Sequence, residues 1–277
     1  MMQPSSRLVG IVRHLLLATG AMLVLLPLLW AIRISFLPAE DVFSPQFHLL
    51  PSRWIGFENY ARALTASPLL RFLVNGVVVC AAIILCQVLV AIPCAYILAK
   101  GRIVGLRLIW LAVLVGLVVP PAALALPLFI MAAQLGLIDT YAALILPWTI
   151  SPLGIFLLRQ AFLRVPDELI EAARLDGLGE VEILARILVP LITPAIGALI
   201  MISLVAHWND LLWPSVVVTS GDKATPPFGV MLFQVQEIGS DYGPLLAGAI
   251  MIAAPLLLVF ILTQRRFLDG LSWTGSK

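Results

Sequence analysis

Charged residues are scarce in this sequence. Of its 277 residues, 17 are Lys or Arg and 15 are Asp or Glu, which makes 12% charged against 61% hydrophobic. A soluble domain carries about 25% charged residues, because charged side chains cover its surface. The composition therefore excludes a soluble protein of two ordinary domains and indicates a membrane protein. A net charge of only +2, with no long basic run, also argues against nucleic-acid binding.

Patterns for disulfide, metal or nucleotide binding are also missing. The three cysteines, Cys80, Cys86 and Cys94, share one apolar stretch with no CxxC pair and no histidine nearby. We interpret them as small buried apolar residues. The phosphate-binding pattern G-x-x-x-x-G-K-S/T does not occur either. We therefore expect this chain to bind no metal, no cofactor and no ATP of its own.

Six apolar stretches are long enough to cross a membrane, which takes about 20 helical residues. They are residues 15–36, 72–99, 108–133, 141–158, 187–205 and 244–263. We predict an all-α polytopic protein with six transmembrane helices, in a single membrane domain over residues 1–277. The first stretch is too long for the apolar core of a signal peptide, so we expect an uncleaved first span.

The positive charges predict the orientation of these spans. Twelve of the 17 Lys and Arg residues lie at the N-terminus, in the second and fourth connections and at the C-terminus, whereas four lie in the other connections and Arg33 ends the first span. Positive residues are retained on the cytoplasmic side. Both termini are therefore predicted to be cytoplasmic, and residues 37–71 and 210–243 form the two long external connections.

The connection between the fourth and fifth spans is unusually charged. Ten of the 28 residues in 159–186 are charged, against 12% of the whole chain. Pro166 suits the first turn of a helix and Gly177 suits its C-terminal end. We predict two short cytoplasmic helices within about 166–186.

The first of these helices carries an apolar stripe of Leu169, Ala172 and Ala173, whose small alanines would let a partner surface approach closely. On helix physics alone, the two helices could equally lie flat on the membrane surface as an amphipathic pair. The stripe therefore leaves two interpretations open.

The residue spacing of this segment resembles a known signature. A glutamate and two alanines are followed after three residues by glycine, after nine more by isoleucine and after two more by proline. This pattern is similar to the EAA signature of permease subunits of binding-protein-dependent ABC importers, and it is carried by Glu171, Ala172, Ala173, Gly177, Ile187 and Pro190. Other stretches resemble the carbohydrate branch, the maltose-permease-like second subunit. They include FENY at 57–60, LGLIDTY at 135–141 and WNDLLWP at 208–214.

The resemblance implies a type I ABC importer permease fold in the bacterial cytoplasmic membrane and a transport subunit without its own ATPase site. ATP and Mg²⁺ would be bound by a separate ATPase subunit, into whose cleft the charged segment docks. The coupling residues implied in this way are Glu171, Ala172, Ala173, Leu175, Asp176, Gly177 and Pro190. The implied partners are a homologous permease in a heterodimer, two ATP-binding subunits, an external solute-binding protein and membrane lipid. The solute would be a sugar or a sugar-like compound such as a glycerol phosphate.

Four polar residues within or beside the apolar spans are candidates for the translocation path: Asn75, Ser203, Asn209 and Asp210. The last two are flanked by Trp208 and Trp213, so they could meet a sugar through hydrogen bonds and ring stacking. They could equally cap the helix and hold the outer loop. Both interpretations are open at the sequence level.

Two other classes of protein remain as alternatives. An intramembrane hydrolase is suggested by Ser203 and His207, which are four residues apart on one helix face with Asp210 close by. An ion-coupled secondary transporter would place an ionisable residue inside the helix bundle, and none of the six stretches contains an acidic residue.

Overall fold

The structure is a computed structural model that describes residues 5–42, 44, 51–233 and 242–272. Within these residues the regular structure is entirely helical, which confirms the all-α prediction. In chain order the α-helices are α1 (Ser5–Ser35), α2 (Ala39–Val42), α3 (Glu58–Ala66), α4 (Leu69–Lys100), α5 (Leu106–Val118), α6 (Pro121–Gln134), α7 (Tyr141–Ile145), α8 (Pro152–Leu163), α9 (Asp167–Leu175), α10 (Glu180–Glu182), α11 (Val189–Leu191), α12 (Thr193–Trp208), α13 (Leu212–Val217), α14 (Pro226–Phe233) and α15 (Tyr242–Ser272).

Three of the predicted spans are single long helices. Val9–Ser35, Leu69–Lys100 and Tyr242–Thr263 are each long and apolar enough to cross a membrane. In the first of these helices, no residue of the most apolar stretch is buried against the rest of the chain. This exposure is expected of a helix that contacts lipid or another subunit.

The other three predicted spans are broken rather than continuous. The bend is 105° between α5 and α6, 40° between Tyr141–Trp148 and α8, and 77° between Glu180–Leu191 and α12. Each pair passes the same test of length and composition when taken together, so the count reaches six if each pair is one span.

Prolines mark the first two breaks, and a π-helical segment precedes the third. Pro120 is extended and Pro121 begins α6, so the chain leaves the helix at a Pro-Pro step. Ser151 caps α8 by accepting a hydrogen bond from Gly154 N at 3.0 Å, ahead of Pro152. The third break follows a π-helical segment, Ile183–Leu188, within which backbone pairing is wider than in an α-helix.

The chain divides into two compact units, of which the first comprises Met1–Leu69 and Val230–Ala253. Its central side chain is Asn59, which is 2% exposed and donates hydrogen bonds to Ser35 O at 3.0 Å and Leu37 O at 2.9 Å. A Cβ atom at Gly243 would lie 2.5 Å from the Asn59 amide nitrogen. Only glycine therefore allows α15 to start beside this amide without displacing it.

The second unit comprises Leu70–Gly229 and Ala254–Lys277. Its core joins the C-terminal halves of α4 and α8 to α9 and to the π-helical segment. The most completely buried members are Ala91, Ala95, Leu158, Phe162, Ile183 and Leu188. The charged segment predicted to be cytoplasmic is thus packed onto the helices that lead into the membrane.

Candidate functional site

The helix α9 lies where the sequence predicts the first cytoplasmic helix. Pro166 is extended and stands just before it, and Asp167 and Glu168 occupy the first turn, where acidic side chains stabilise the positive end of the helix dipole. At the other end Gly177 has φ +85°, and Leu178 N donates to Ala173 O at 3.1 Å. This left-handed turn is the reason for a glycine at this position.

The predicted apolar stripe of α9 does not form a single face in the structure. Ile170 and Ala173 are buried in the core of the second unit, whereas Glu171, Ala172 and Leu175 are exposed, Leu175 at 90%. Leu169 is exposed as well. The small side chain of Ala173 therefore brings α9 close to its own core, and the surface open to a partner is formed by Glu171, Ala172, Leu175 and Asp176.

Two polar contacts attach the ends of α9 and the following bend to α4. Lys100 Nζ donates to Val165 O at 2.7 Å and to Asp167 Oδ1 at 2.6 Å, just where α9 begins. After the bend, Tyr96 O–H donates to Glu180 Oε2 at 2.6 Å. Helix α4 thus holds both sides of the charged segment.

These contacts lower the pKa values of two acidic groups. The hydrogen bond from Lys100 holds the pKa of Asp167 below its usual value, and the hydrogen bond from Arg174, 2.7 Å from Glu180 Oε1, lowers the pKa of Glu180. Tyr96, Lys100 and Glu180 were missed at the sequence level. Their partners lie 84 and 67 residues away, a separation at which the sequence carries no pairing signal.

Pro190 lies beyond the π-helical segment, in α11. It is exposed, and its short helix is followed at Ile192 by the bend into α12. The predicted coupling residues therefore fall on one continuous path, from α9 through the Gly177 turn and the π-helical segment to α12.

Ser203, predicted for the translocation path, belongs to a hydrogen-bonded group around Gln87. Ser203 Oγ donates to Gln87 Oε1 at 2.5 Å, and Gln87 Nε2 donates to Trp148 O at 2.8 Å and lies 3.2 Å from His207 Nε2. The serine therefore reaches His207 only through the amide. The nucleophile and base arrangement of a hydrolase is not formed by Ser203 and His207, and Asp210 Oδ1 instead accepts from Trp213 N at 3.2 Å.

Asn75 lies in a different cluster from Ser203. It is 2% exposed, donates to Asp222 O and Ala224 O at 2.9 Å each, and accepts from Tyr141 O–H at 2.7 Å. Its amide nitrogen fastens the connection after α13, and its amide oxygen holds Tyr141 at the start of α7. This geometry favours a structural role for Asn75.

Asn209 and Asp210 occupy the end of α12. Asn209 Nδ2 donates to Val205 O at 2.9 Å, and Asp210 caps the start of α13 through Trp213 N. The structure therefore places these two predicted path residues at a helix end, as the alternative interpretation of the sequence has it. It does not bring all four predicted path residues into one site.

The connection after α13 is fastened at a second point. Asp139, which has φ +61°, accepts hydrogen bonds at its Oδ1 from Thr219 N, Ser220 N and Ser220 Oγ at 3.0 to 3.1 Å. The bonds from Ser220 hold the pKa of Asp139 below its usual value. Arg71 also pairs with Asp222.

A cavity of about 240 Å³ lies beside the end of α12. The ring centroids of Trp148 and Trp213 are 6.2 Å apart with their planes at 89°, and His207 is 5.9 Å from Trp148. The residues that line the cavity are Pro121, Ala125, Trp148, Ala206, His207, Asp210, Leu212 and Trp213. Among them Asp210 was predicted for the translocation path, Trp213 was considered as a stacking ring, and His207 belonged to the hydrolase alternative.

A solved structure shares the fold of this chain. The chain superposes on a solved structure titled as a bacterial ABC transporter involved in the import of the acidic polysaccharide alginate, with a TM-score of 0.82, 23% identity, and coverage of 96% of this chain and 99% of the other. This likeness shows the fold of the chain.

The chain belongs to the family described as binding-protein-dependent transport system inner membrane component, which matches residues 87–266. Its relatives include the arabinooligosaccharide transport system permease protein AraQ of Halalkalibacterium halodurans, 34% identical over 93% of this chain and 92% of the relative. The diacetylchitobiose uptake system permease protein NgcG of Streptomyces coelicolor is 32% identical over 97% and 89%. The sn-glycerol-3-phosphate permease protein UgpE of Brucella abortus is 31% identical over 97% of both.

This membership confirms the predicted permease of the bacterial inner membrane and favours it over the secondary transporter and the hydrolase. A permease of this family works with an ATPase and a solute-binding protein. The structure describes no group of three or more His, Cys, Asp or Glu side chains that could hold a metal ion, within the residues searched.

Proposed function

We propose that this chain moves a sugar or sugar-like solute across the membrane, using ATP hydrolysis by a separate subunit. The observation that carries the proposal is that α9 has an exposed face around Glu171 and an opposite face buried in the core of the second unit. Two relatives that are named for oligosaccharide transport or uptake support the choice of a sugar. The chain itself has no ATPase site in this proposal.

In this mechanism the exposed face of α9 docks in a cleft of the ATPase. Glu171 pairs with a basic residue of that subunit, Ala172 allows close approach, and Leu175 contributes exposed apolar area. The turn of Asp176 and Gly177 sets the direction in which the chain leaves the contact.

Movement of α9 would reach the membrane by two routes. Lys100 and Tyr96 connect it to α4 through Asp167 and Glu180. Pro190 and the π-helical segment connect it to α12. Coupling of this kind requires that the ATPase bind α9 with different affinity in the two conformations of the permease. A partner that binds both conformations equally well cannot change the equilibrium between them.

The proposed assembly contains a homologous permease, two copies of the ATP-binding subunit and an external solute-binding protein. ATP and Mg²⁺ are held by the ATP-binding subunits, and no cofactor is bound here. The chain forms a single transmembrane domain, and its external connections meet the binding protein.

The test uses the complete transporter in proteoliposomes with its binding protein, and compares Glu171→Ala with Glu168→Ala. Both glutamates are exposed on α9, and Glu168 lies in the first turn, where it favours the helix dipole, so removing Glu168 should cost the helix at least as much stability as removing Glu171. We expect Glu171→Ala to reduce solute-stimulated ATP hydrolysis and uptake at least roughly tenfold, the loss for one buried charge-assisted contact. Glu168→Ala should retain most of both. Survival of both activities in Glu171→Ala would contradict the coupling role.

A further inference from the structure

Three arginines of the second unit have no carboxylate partner. Arg102 lies in the connection between α4 and α5, Arg107 lies in the first turn of α5, and Arg159 lies one turn before the end of α8. No ion pair joins any of them to an acidic side chain within the described part of the chain. Lys100 and Arg174, by contrast, each have a carboxylate partner. The three arginines are therefore available to bind an anion from outside the chain.

The end of α4, the start of α5 and the end of α8 lie at the same side of the membrane. Lys100, the last residue of α4, donates to Val165 O just beyond α8 at 2.7 Å. All three helices belong to candidate membrane spans. The headgroup layer on each side of a bilayer is about 5–8 Å thick, and one helical turn rises about 5.4 Å. Arg159 and Trp110, each about one turn from a helix end, therefore lie at the depth of the lipid headgroups.

Arg159 is held in a fixed orientation. Its Nε donates to Leu98 O at 3.1 Å, and its Cζ lies 4.0 Å from the ring centroid of Trp110. The Trp110 ring in turn stacks on Phe156, with centroids 5.7 Å apart and planes at 12°. These contacts fix the plane of the guanidinium group and leave its two Nη groups for another partner. A guanidinium held in this way is suited to paired hydrogen bonds with a phosphate group.

Arg107 extends the positive surface along α5. It precedes Trp110 by three residues, which places both side chains on the same side of the helix. Arg107 thus lies one turn nearer the start of α5 than the ring that carries Arg159. Arg102 precedes the helix by a few residues and is exposed, as Arg107 is.

Negative charge is scarce around these arginines. The sequence contains no Asp or Glu between Glu58 and Asp139, and α8 contains none either. The pKa of Asp167 is lowered chiefly by the hydrogen bond and the charge of Lys100, and to a smaller extent by Arg102. Because Lys100 already binds this carboxylate, Asp167 does not neutralise the group of arginines.

The positive surface continues into an exposed apolar one. Ile103 in the connection and Leu108, Ile109 and Leu111 on α5 are all exposed. A small soluble anion would leave these apolar side chains uncovered. Basic residues beside exposed apolar residues are the combination that binds an anionic lipid surface, because the cations meet the phosphates while the apolar side chains meet the acyl chains.

The geometry points to a binding site for the headgroup of an anionic phospholipid, formed by Arg102, Arg107 and Arg159 around Trp110. Arg159 donates to the lipid phosphate, and the exposed apolar residues of α5 lie beside the acyl chains. A zwitterionic lipid brings its own cation to the site, so it gains less from three unpaired arginines. This inference goes beyond the proposed function, because it depends neither on the transported solute nor on the ATPase.

The test compares phosphatidylglycerol and phosphatidylcholine with identical acyl chains, and measures their binding to the purified complete transporter by native mass spectrometry. We expect the unmodified transporter to bind phosphatidylglycerol at least roughly tenfold more tightly, because more than one arginine acts on the anion. Arg107→Gln removes one exposed charge and should reduce this preference roughly fivefold, the value of one cation at an anionic lipid surface.

Two further variants separate a built site from general surface charge. Arg159→Lys keeps the charge but loses the planar group that stacks on Trp110, so it should also reduce the preference roughly fivefold. Arg186→Gln is the matched control, since it removes the same charge from an exposed arginine that pairs with Glu182. It should change the preference by less than about twofold.

The site is overturned if the two lipids bind equally well, if either Arg107→Gln or Arg159→Lys leaves the preference unchanged, or if Arg186→Gln lowers it as much as they do. Inorganic phosphate is added as a competitor to separate a lipid site from a site for a soluble anion. Displacement of phosphatidylglycerol by inorganic phosphate would overturn the lipid site. Arg107 is exposed, so Arg107→Gln tests the site even if Arg159→Lys disturbs the fold.

Discussion

Gly177 is the residue whose identity the backbone most clearly dictates. Its φ of +85° lies in the left-handed region, and no atom lies within 4 Å of a Cβ built on it. Any cost of substitution there comes from the backbone alone, because there is no neighbour to displace. Gly179 lies in similarly open space but has φ −76°.

This pair predicts a contrast between two alanine substitutions. Gly177→Ala should lower the stability of the α9 bend by about 1–2 kcal/mol, the cost of placing a Cβ in the left-handed region. Gly179→Ala should be nearly neutral. The measurement is thermal unfolding of the purified transporter, followed by a fluorescent maleimide that reacts with Cys80, Cys86 and Cys94 as unfolding exposes them. Equal shifts for the two variants would show that the left-handed turn is not what requires the glycine.

Gln87 is a buried polar residue that was not predicted as part of any site. It is 4% exposed and its amide contacts Ser203, Trp148 and His207. A signal was present, because a side-chain amide in the middle of an apolar span must find partners inside the bundle. Which partners it finds is decided by helix packing, over sequence separations of 61 to 120 residues.

At the scale of elements, hydrogen bonds to side chains of α4 hold the start of α9 and the bend that follows its end. Lys100 bonds to Asp167 at its start, and Glu180, after its end, bonds to both Tyr96 and Arg174. The pKa values of Asp167 and Glu180 are lowered by these donors. A carboxyl group whose folded pKa is depressed stabilises the fold above its unfolded pKa, and this contribution is lost as the pH falls through the folded pKa.

The attachment of α9 should therefore be insensitive to pH above about 5 and weaken in acid, below the ordinary carboxyl pKa of about 4. Thermal unfolding of the transporter between pH 3 and pH 8 measures this dependence. Glu180→Gln should show a smaller loss of stability in acid than the unmodified chain, because its side chain no longer titrates. Glu182→Gln is the control, since its i,i+4 pair with Arg186 is exposed. An unchanged acid profile in Glu180→Gln would contradict the anchoring role.

The broken spans are also features of the element scale. The Pro-Pro step at 120–121 and the Ser-Pro step at 151–152 mark two breaks in the sequence. Their angles, 105° and 40°, differ widely although both steps end in proline. Proline fixes its own φ and removes one donor, but the direction of the next helix depends on what that helix packs against.

For the whole molecule, the orientation in the membrane stays a prediction of the positive charges. Twelve Lys and Arg residues lie on the side predicted to be cytoplasmic and four on the other. Two exposed positions in the second unit test it, Val104 in the second connection and Gly221 in the fifth.

A cysteine at each of these positions should be labelled from opposite sides. With Cys80, Cys86 and Cys94 replaced by alanine, Gly221→Cys should react with a membrane-impermeant maleimide in intact spheroplasts. Val104→Cys should react only after the membrane is permeabilised. The reverse pattern would place both termini outside and would remove α9 from the reach of a cytoplasmic ATPase.

The sequence by itself determined the membrane class, the helical fold, the approximate spans, the short charged helix before the fifth span and the family. These depend on composition, on runs of about 20 apolar residues and on local turn residues such as Gly177, all of which are readable along the chain. Only the tertiary structure decided that Ala173 faces the core, that Lys100 and Tyr96 hold α9, and that Trp148 and Trp213 contact each other edge to face. Those facts depend on how distant helices pack, and packing joins residues whose separation in sequence carries no information about their contact.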